Sequence, residues 1–424
     1  MSQDSGRTDI EAGVIVDFDH HSEEFNLNEL AVSAGLRQRC PVAWNTNYGG
    51  FWFVSGYDAV ARIARDGDTF AHKYEPNAVD GVDYQGEMGV PRPEGQPALG
   101  IGEVDGPYHQ ALRRALAPIF SPGAVEKMRP FMERSAHWFL DQHIADGQMD
   151  LVLDYASPVP AILTMKLMGL PCDNWQLYAH IFHSVMAVAQ DSSEYAEAVA
   201  DVPAMMDGLL EFAAARRIDP CDDVTSLLVQ LEFDGMRLDD AQVLNILWNL
   251  IGGGVDTTTS LVGLSLLHLG THPELRQRLG GQPELYRTAT DEFLRYFSVN
   301  RQLSRTVTRD VVVHGQHLRR NDRVIISWLA ANHDEHEFER PDEIVLDRVR
   351  NRHLAFGLGP HRCIGSHLAR TMFEVMVKAV LDRIPDYRVD ADGVHRYRGN
   401  PSMTGLGKLP VTFTPGMSWR TPRP

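Results

Sequence analysis

Cysteine is scarce in this sequence and never closely paired: Cys40, Cys172, Cys221 and Cys363 are the only four in 424 residues. Their spacing disfavours a disulfide framework or a zinc ribbon and suits a reducing compartment. Positive charge is also short. The 40 Lys and Arg against 57 Asp and Glu leave a formal net charge of −17, and an acidic surface repels a phosphate backbone, which argues against nucleic-acid binding. From Met1 to Asp19 the chain lacks a basic start followed by an apolar run. That stretch reads as neither signal peptide nor membrane anchor, and the expected location is the cytoplasm. Internal repeats and low-complexity tracts are missing as well.

Hydrophobic residues make up 43% and charged residues 23% of the chain, ordinary globular usage. Length alone allows two or three domains. Gly50 to Val54 is strand-like, and Tyr57 to Asp66 is helical in pattern. Lys73 to Val104 is crowded with glycine and proline and reads as a lid. Tyr108 to Pro283 has helical spacing broken by Pro118, Pro122, Pro130, Pro158, Pro160, Pro171 and Pro220. Short strands follow over residues 311–328, then a helix from Ile364 to Ile384 that stops at Pro385. The tail Thr421 to Pro424 reads as loose. The fold class is mainly α with small β-sheets. The longest apolar stretch, Ala241 to Gly270, has the length of a membrane span of about 20 residues. Asn245, Asn249 and Asp256 within it, a capping box at Asp239 and Gln242, and Pro273 beyond its end make it one long central helix instead.

That helix carries Gly252, Gly253 and Gly254 in a row, each costing about 1 kcal/mol relative to alanine. Two reasons compete: close packing against another helix, or close approach of a flat ligand to bare backbone. Thr257 follows Gly253 by four residues, so its hydroxyl reaches that carbonyl. Asp256 beside it is an acid in an apolar setting, which implies a water chain and proton relay, or an ion pair with a neighbouring arginine. A phosphate loop is excluded because no Lys-Ser or Lys-Thr follows the glycines. Glu292 and Arg295 form an i,i+3 pair that says little by itself.

The most specific stretch is Phe356-Gly357-Leu358-Gly359-Pro360-His361-Arg362-Cys363-Ile364-Gly365, a glycine-rich loop that delivers one cysteine to the start of a helix. Amide N–H groups at a helix N-terminus favour negative charge, so they stabilise a thiolate there, lower its pKa and tune its electron donation. A zinc site built from His361, Cys363 and His367, or a nucleophilic Cys363, stays open as a weaker alternative. The first lacks a fourth ligand, and the second lacks a marked base.

Together these segments resemble the cytochrome P450 family from Asp105 to Gly365. Phe356, Gly359, Cys363 and Gly365 match its haem loop, Gly253 to Thr258 its oxygen-activating helix, and Glu292 and Arg295 its Glu-x-x-Arg pair. Gly253 departs from the family's commoner alanine, as soluble bacterial members often do. The resemblance implies one domain over residues 1–424. Its helix-rich core spans about 105–385, with β-rich parts near 40–56, 299–328 and 386–414. It also implies haem b (iron protoporphyrin IX) between the central helix and the cysteine loop, with Cys363 as iron ligand. Gly253, Phe356, Gly357 and Gly365 lie against the haem, and His109, Arg113, Arg305 and His361 meet its propionates. Arg348 joins Glu292 and Arg295 in a buried triad. Asp256 and Thr257 then deliver protons for O2 activation. The chain carries no flavin or ferredoxin domain of its own, so a ferredoxin or flavodoxin with its reductase is implied, docking near Arg113, Arg114, Arg362 and Arg370. The expected protein is a monomer. It hydroxylates or epoxidises a lipophilic terpenoid, steroid, polyketide or aromatic, with contacts from the loop up to Val104, His180 to Met206, Val299 to Leu303 and Ser402 to Leu406. A peroxide-driven peroxygenase and a non-catalytic haem sensor are the rival readings.

Overall fold

The computed structural model describes residues 15–187, 192–397 and 402–424. Residues 1–14 of the N-terminal reading, 188–191 of the stretch from His180 to Met206, and 398–401 of the last β-rich part lie outside the described residues. The helices are α1 (Glu23–Arg39), α2 (Tyr57–Arg65), α3 (Gly106–Leu116), α4 (Pro122–His143), α5 (Pro158–Met168), α6 (Trp175–Ala187), α7 (Ser193–Ala200), α8 (Val202–Ile218), α9 (Val224–Gln230), α10 (Asp240–Thr271), α11 (Pro273–Gly281), α12 (Tyr286–Phe297), α13 (Trp328–Asn332) and α14 (Ser366–Arg383). The first strands are β1 (Ile15–Val16), β2 (Val42–Asn45), β3 (Phe51–Val54), β4 (Phe70–Ala71), β5 (Tyr74–Glu75), β6 (Tyr84–Gln85), β7 (Gln148–Asp150), β8 (Glu232–Phe233) and β9 (Met236–Arg237). After them come β10 (Gln302–Val307), β11 (Val311–Val313), β12 (Gln316–Leu318), β13 (Arg323–Ser327), β14 (Arg388–Val389), β15 (His395–Arg396), β16 (Leu406–Lys408) and β17 (Pro410–Thr412).

The central helix α10 organises the packing. Asp239 caps it, accepting from Gln242 N while Gln242 returns a bond to the Asp239 amide. Among the described residues it is the one helix long and apolar enough to cross a membrane, yet most of that apolar window is buried against other helices. Its apolar face joins α4, α5, α12 and α14 in one large core that includes Leu112, Tyr155, Val255, Leu266, Phe293 and Phe373. Pro130 does not break the chain as its type predicts: α4 runs through it, because Val125, Met132, Ala136 and Phe139 bury one continuous face on both sides. Pro158 and Pro160 start α5 instead of interrupting it, since a first turn needs no N–H from them.

A six-stranded sheet in the order β1-β2-β3-β13-β10-β4 forms the second layer. Its register sets Arg305 opposite Val324 and Leu303 opposite Ile326, so Leu303 and Arg305 share one face of β10.

The glycine-rich stretch from Lys73 to Val104 is pinned, and it contains the hairpin β5–β6. Buried Glu103 accepts from the amides of Glu87 at 2.6 Å and Leu99 at 2.9 Å and binds both terminal nitrogens of Arg92. Two carboxamides on α10 hold the far end: Asn245 Oδ1 accepts from Gly100 N at 2.9 Å and Asn249 Oδ1 from Gly102 N at 3.2 Å. The C-terminal tail is also tied. Asp141 accepts from the amides of Trp419 and Thr421 at 2.9 Å, a carboxylate anchor that lies 280 residues away in sequence and leaves no local signal.

Candidate active site

Cys363 follows a tight turn closed by its own amide, which donates to Phe356 O at 2.8 Å, while Arg362 N donates to Gly359 O. Gly359 has φ +77, and a Cβ there would lie 2.3 Å from Ala64 O, so only glycine lets the loop press against α2. The Cys363 side chain is exposed, but to an internal cavity rather than to bulk water. Burial pushes its thiol above the ordinary value, offset only in part by the Gly365 amide and the charges of Arg113, Arg362 and Arg370. The lowering expected from the helix N-terminus is therefore present but outweighed. A cation bound at the sulfur would supply the missing stabilisation of the thiolate.

The cavity has a volume of about 300 Å3. Phe356, Gly357 and Gly365 line it beside Cys363, and Gly253 and Thr257 line it from α10. The three glycines of α10 divide between the two competing explanations. A Cβ on Gly252 would meet Phe182 at 2.9 Å and one on Gly254 would meet Thr164 Oγ1 at 2.7 Å, whereas Gly253 has nothing within 4 Å. The outer two permit helix packing, and the middle one leaves bare backbone facing the space. The Thr257 hydroxyl donates to Gly253 O at 2.8 Å, which leaves its lone pairs to accept.

The rings of His72 and His361, which line one edge of the cavity, and of His109, which does not line it, are stacked with centroids 3.5 Å and 3.8 Å apart. His361 Nε2 donates to Asp105 Oδ1 at 2.8 Å. Burial and the neighbouring charges of His361 and Arg113 push His109 down to about 3, so its ring is neutral. Burial raises Glu87 to about 7 against the pull of Arg305, whose Nη1 lies 3.5 Å away. His109 Nε2 and Arg305 Nε are buried without a partner. Arg113 lines the same cavity. A sulfur and bare helix backbone lining one space, with the guanidinium of Arg113 and the unpartnered Arg305 Nε at its edge, fit a flat, anionic-edged, metal-bearing ring such as a haem.

His72, Glu87 and Asp105 were not singled out by the sequence. For Asp105 a signal exists: an acid before Gly-Pro at a helix start marks an N-cap. Its carboxylate instead accepts from the amides of His72 at 2.9 Å and Lys73 at 2.8 Å.

Asp256 does not line the cavity. It is 2% exposed and faces His183 and Tyr397 on the far side of α10. Of the expected substrate segments, Ile101 and Gly102 before Val104, and Val299, Asn300 and Leu303, line the space. The described residues of His180 to Met206 and of Ser402 to Leu406 do not. Leu167, Met168, Asn249 and Leu250, unmarked by any motif, do.

Beneath the cysteine loop, Glu292 is fully buried. It accepts from Arg295 Nε and Nη2 at 2.9 Å, from Arg348 Nε at 2.8 Å and from the Val345 amide at 2.9 Å. Burial raises its carboxyl, but these donors outweigh that and hold it below the ordinary value.

A profile of the family described as Cytochrome P450 matches residues 283–392. The chain is 31% identical to cytochrome P450 CYP107DY1 of Priestia megaterium over 73% of its own length and 76% of the relative's. It is 31% identical to the mycinamicin IV hydroxylase/epoxidase of Micromonospora griseorubida over 85% and 89%. The solved structure of the bacillaene polyketide synthase cytochrome P450 PksS of Bacillus subtilis superposes with a TM-score of 0.80 at 28% identity, covering 94% of this chain and 100% of that one. With this fold, this cavity and these relatives, the chain belongs to the cytochrome P450 family and is an enzyme of its monooxygenase class.

Proposed function

We propose that the chain binds haem b with Cys363 as the iron ligand and inserts one oxygen atom of O2 into a lipophilic small molecule. The observation that carries this is a single cavity with the Cys363 sulfur on one side and the Gly253 and Thr257 notch on the other. When bound, the haem supplies O2 binding and reductive activation, tuned by thiolate donation. The protein's own part is to hold and to protonate. Arg113, Arg305 and His361 at the rim, with His109 behind them, would hold the propionates, and His109 Nε2 and Arg305 Nε have no other partner. Phe356, Gly357 and Gly365 would flank the ring beside the sulfur. Thr257 offers a hydroxyl whose lone pairs accept a proton donor, and Asp256, the preceding residue, is that acid once its carboxyl turns from the far side of α10.

The substrate contacts are Ile101, Leu167, Leu250, Val299 and Leu303, an apolar set that suits a lipophile. Terpenoids, steroids, polyketides and aromatics all fit that description. The similarity to PksS of Bacillus subtilis, a polyketide biosynthesis cytochrome P450, supports the polyketide class. Two electrons come from a separate ferredoxin or flavodoxin in the cytoplasm, and the enzyme works as a monomer. Arg114 is exposed for such docking and Arg113 and Arg362 are half-buried, but Arg370 is already committed to Asp291 at 2.6 Å.

The reduced protein with carbon monoxide provides the test. A Soret band at the long wavelength characteristic of thiolate ligation is expected, absent in Cys363→Ala. A normal position in the parent protein overturns the reading.

A further inference from the structure

Successive residues on a helix point about 100° apart. While Thr257 faces the cavity, Asp256 is therefore turned into the protein. His183 Nδ1 from α6 lies 3.0 Å from Asp256 Oδ1, and the Tyr397 hydroxyl, just beyond β15, donates to the carboxylate with both oxygens at 2.8 Å. Ser260 Oγ donates in turn to that hydroxyl at 3.2 Å. The other ring nitrogen of His183 lies 3.3 Å from Gly407 O on β16. His183 Nδ1 also lies 3.2 Å from the Tyr397 hydroxyl, but that hydroxyl spends its proton on Asp256, so a carboxylate at Nδ1 and a carbonyl at the other nitrogen are best met by the doubly protonated ring. The side chains of the pair are 7% and 3% exposed, so this is a buried ion pair spanning α6 and α10.

Burial lowers the His183 pKa, but the bond and charge of Asp256, the Gly407 carbonyl and the charge of Asp150 outweigh it and leave the group above its ordinary value. Burial and the Asp256 charge push Tyr397 well above its own, which keeps it a neutral donor. A buried ion pair is a poor route to stability, since well-packed apolar side chains do as well. Its location, one residue from Thr257, points to a use.

We propose that His183 and Tyr397 are positioning residues that hold Asp256 in reserve and recharge it with a proton between turnovers, a reading that rests on Asp256 serving as the acid beside Thr257. The proton on His183 Nδ1 passes to Asp256 Oδ1, leaving a neutral carboxyl and an imidazole that keeps its proton on Nε2. No longer an ion pair, the carboxyl turns from His183 towards Thr257 and gives up its proton there. The carboxylate returns to Tyr397, and the imidazole takes a proton from water at Nδ1. One solvent proton moves inward per cycle and no electrons are exchanged. Because the partners sit on α6 and beside the β15–β16 hairpin, movement of either element changes how readily the acid is released.

The test uses the haem-loaded full chain with His183→Gln and Tyr397→Phe. Product formed per O2 consumed should fall as pH rises through the His183 pKa in the parent protein. In His183→Gln it should be flat with pH and lower by about tenfold, with the carbon monoxide band and substrate affinity unchanged. Tyr397→Phe should keep the pH-dependent limb. Nitrogen-15 NMR of the imidazole gives a readout independent of turnover: His183 should titrate above 6.5, the ordinary value, and drop in Asp256→Asn. A folded His183→Gln with the parental profile overturns the proposal, and so does an imidazole already neutral at 6.5 in the parent protein, which decides the matter even where His183→Gln fails to fold. A missing long-wavelength carbon monoxide band would instead remove the monooxygenase reading and leave the imidazole titration standing.

Discussion

The two charged clusters on either side of the cysteine loop are built from the same residue types and finished differently. Beneath the loop, all five N–H groups of Arg295 are used: on Glu292, and on the carbonyls of Asn332, Pro341 and Glu343. At the cavity rim Arg305 Nε, and behind the rim His109 Nε2 stacked on His361, have no partner although they are buried. Leaving such groups unmet costs about 1–3 kcal/mol each. Arg295 is met at every N–H, although Asn351 Oδ1 next to Glu292 goes without a partner, so this chain has the means to close the charged groups of a buried cluster. The first is therefore part of the scaffold and the second is a binding surface, whose missing partners belong to a guest.

This contrast can be broken by mutation. The largest effect is expected beneath the loop: Arg295→Leu leaves the Glu292 carboxylate half-paired and should cost about 3–5 kcal/mol in denaturant midpoint. A loss under about 1 kcal/mol would place this cluster with the rim rather than the scaffold. Next are the glycines of α10. Gly254→Ala should destabilise by about 1–3 kcal/mol through its clash with Thr164. Gly253→Ala should instead gain up to about 1 kcal/mol from helix propensity, while shifting the spin state of the bound haem. Behind the rim, His109→Leu should leave the haem-free chain as stable or more so, yet weaken haem affinity by roughly tenfold, the worth of one charge-assisted bond.

The smallest effect separates the clusters by pH. His109 is held at about 3 against an ordinary 6.5. Its contribution is complete above 6.5 and drains away as pH falls towards 3, because the unfolded chain takes up the proton first. Glu292 is held below its ordinary 4.5, so its contribution is lost only at lower pH. Acid unfolding of the haem-free chain, followed by circular dichroism, should show the first phase blunted in His109→Gln and the second retained. A parental first phase in that variant would remove His109 from the account.

The fold class and the cysteine loop were legible because their signals are local: a capping box, an apolar period, and glycines in a loop where only glycine fits. Gly253 was legible as a position but not as a choice, since Gly252 and Gly254 answer to Phe182 and Thr164, residues some 70 and 90 positions away. His183 and Tyr397 gave no signal. A lone histidine in an amphipathic helix and a tyrosine near the C-terminus read as ordinary surface or core until the chain folds them onto Asp256. The stretch from Lys73 to Val104 misled for a related reason: its glycines suggest freedom, and one buried acid, Glu103, removes it.

The carboxamides of Asn245 and Asn249 clasp the loop beside the cavity to the central helix. They sit one helical turn apart and grip the amides of Gly100 and Gly102, on either side of Ile101, while Arg92 and Glu103 anchor the same loop from behind. Releasing both grips forfeits two ordinary hydrogen bonds, about 1–3 kcal/mol together, which corresponds to an open fraction on the order of one molecule in ten to one in a hundred. The loop beside the cavity then loosens by brief local fraying rather than as a swinging flap, and two amide side chains of the central helix set how often it does so.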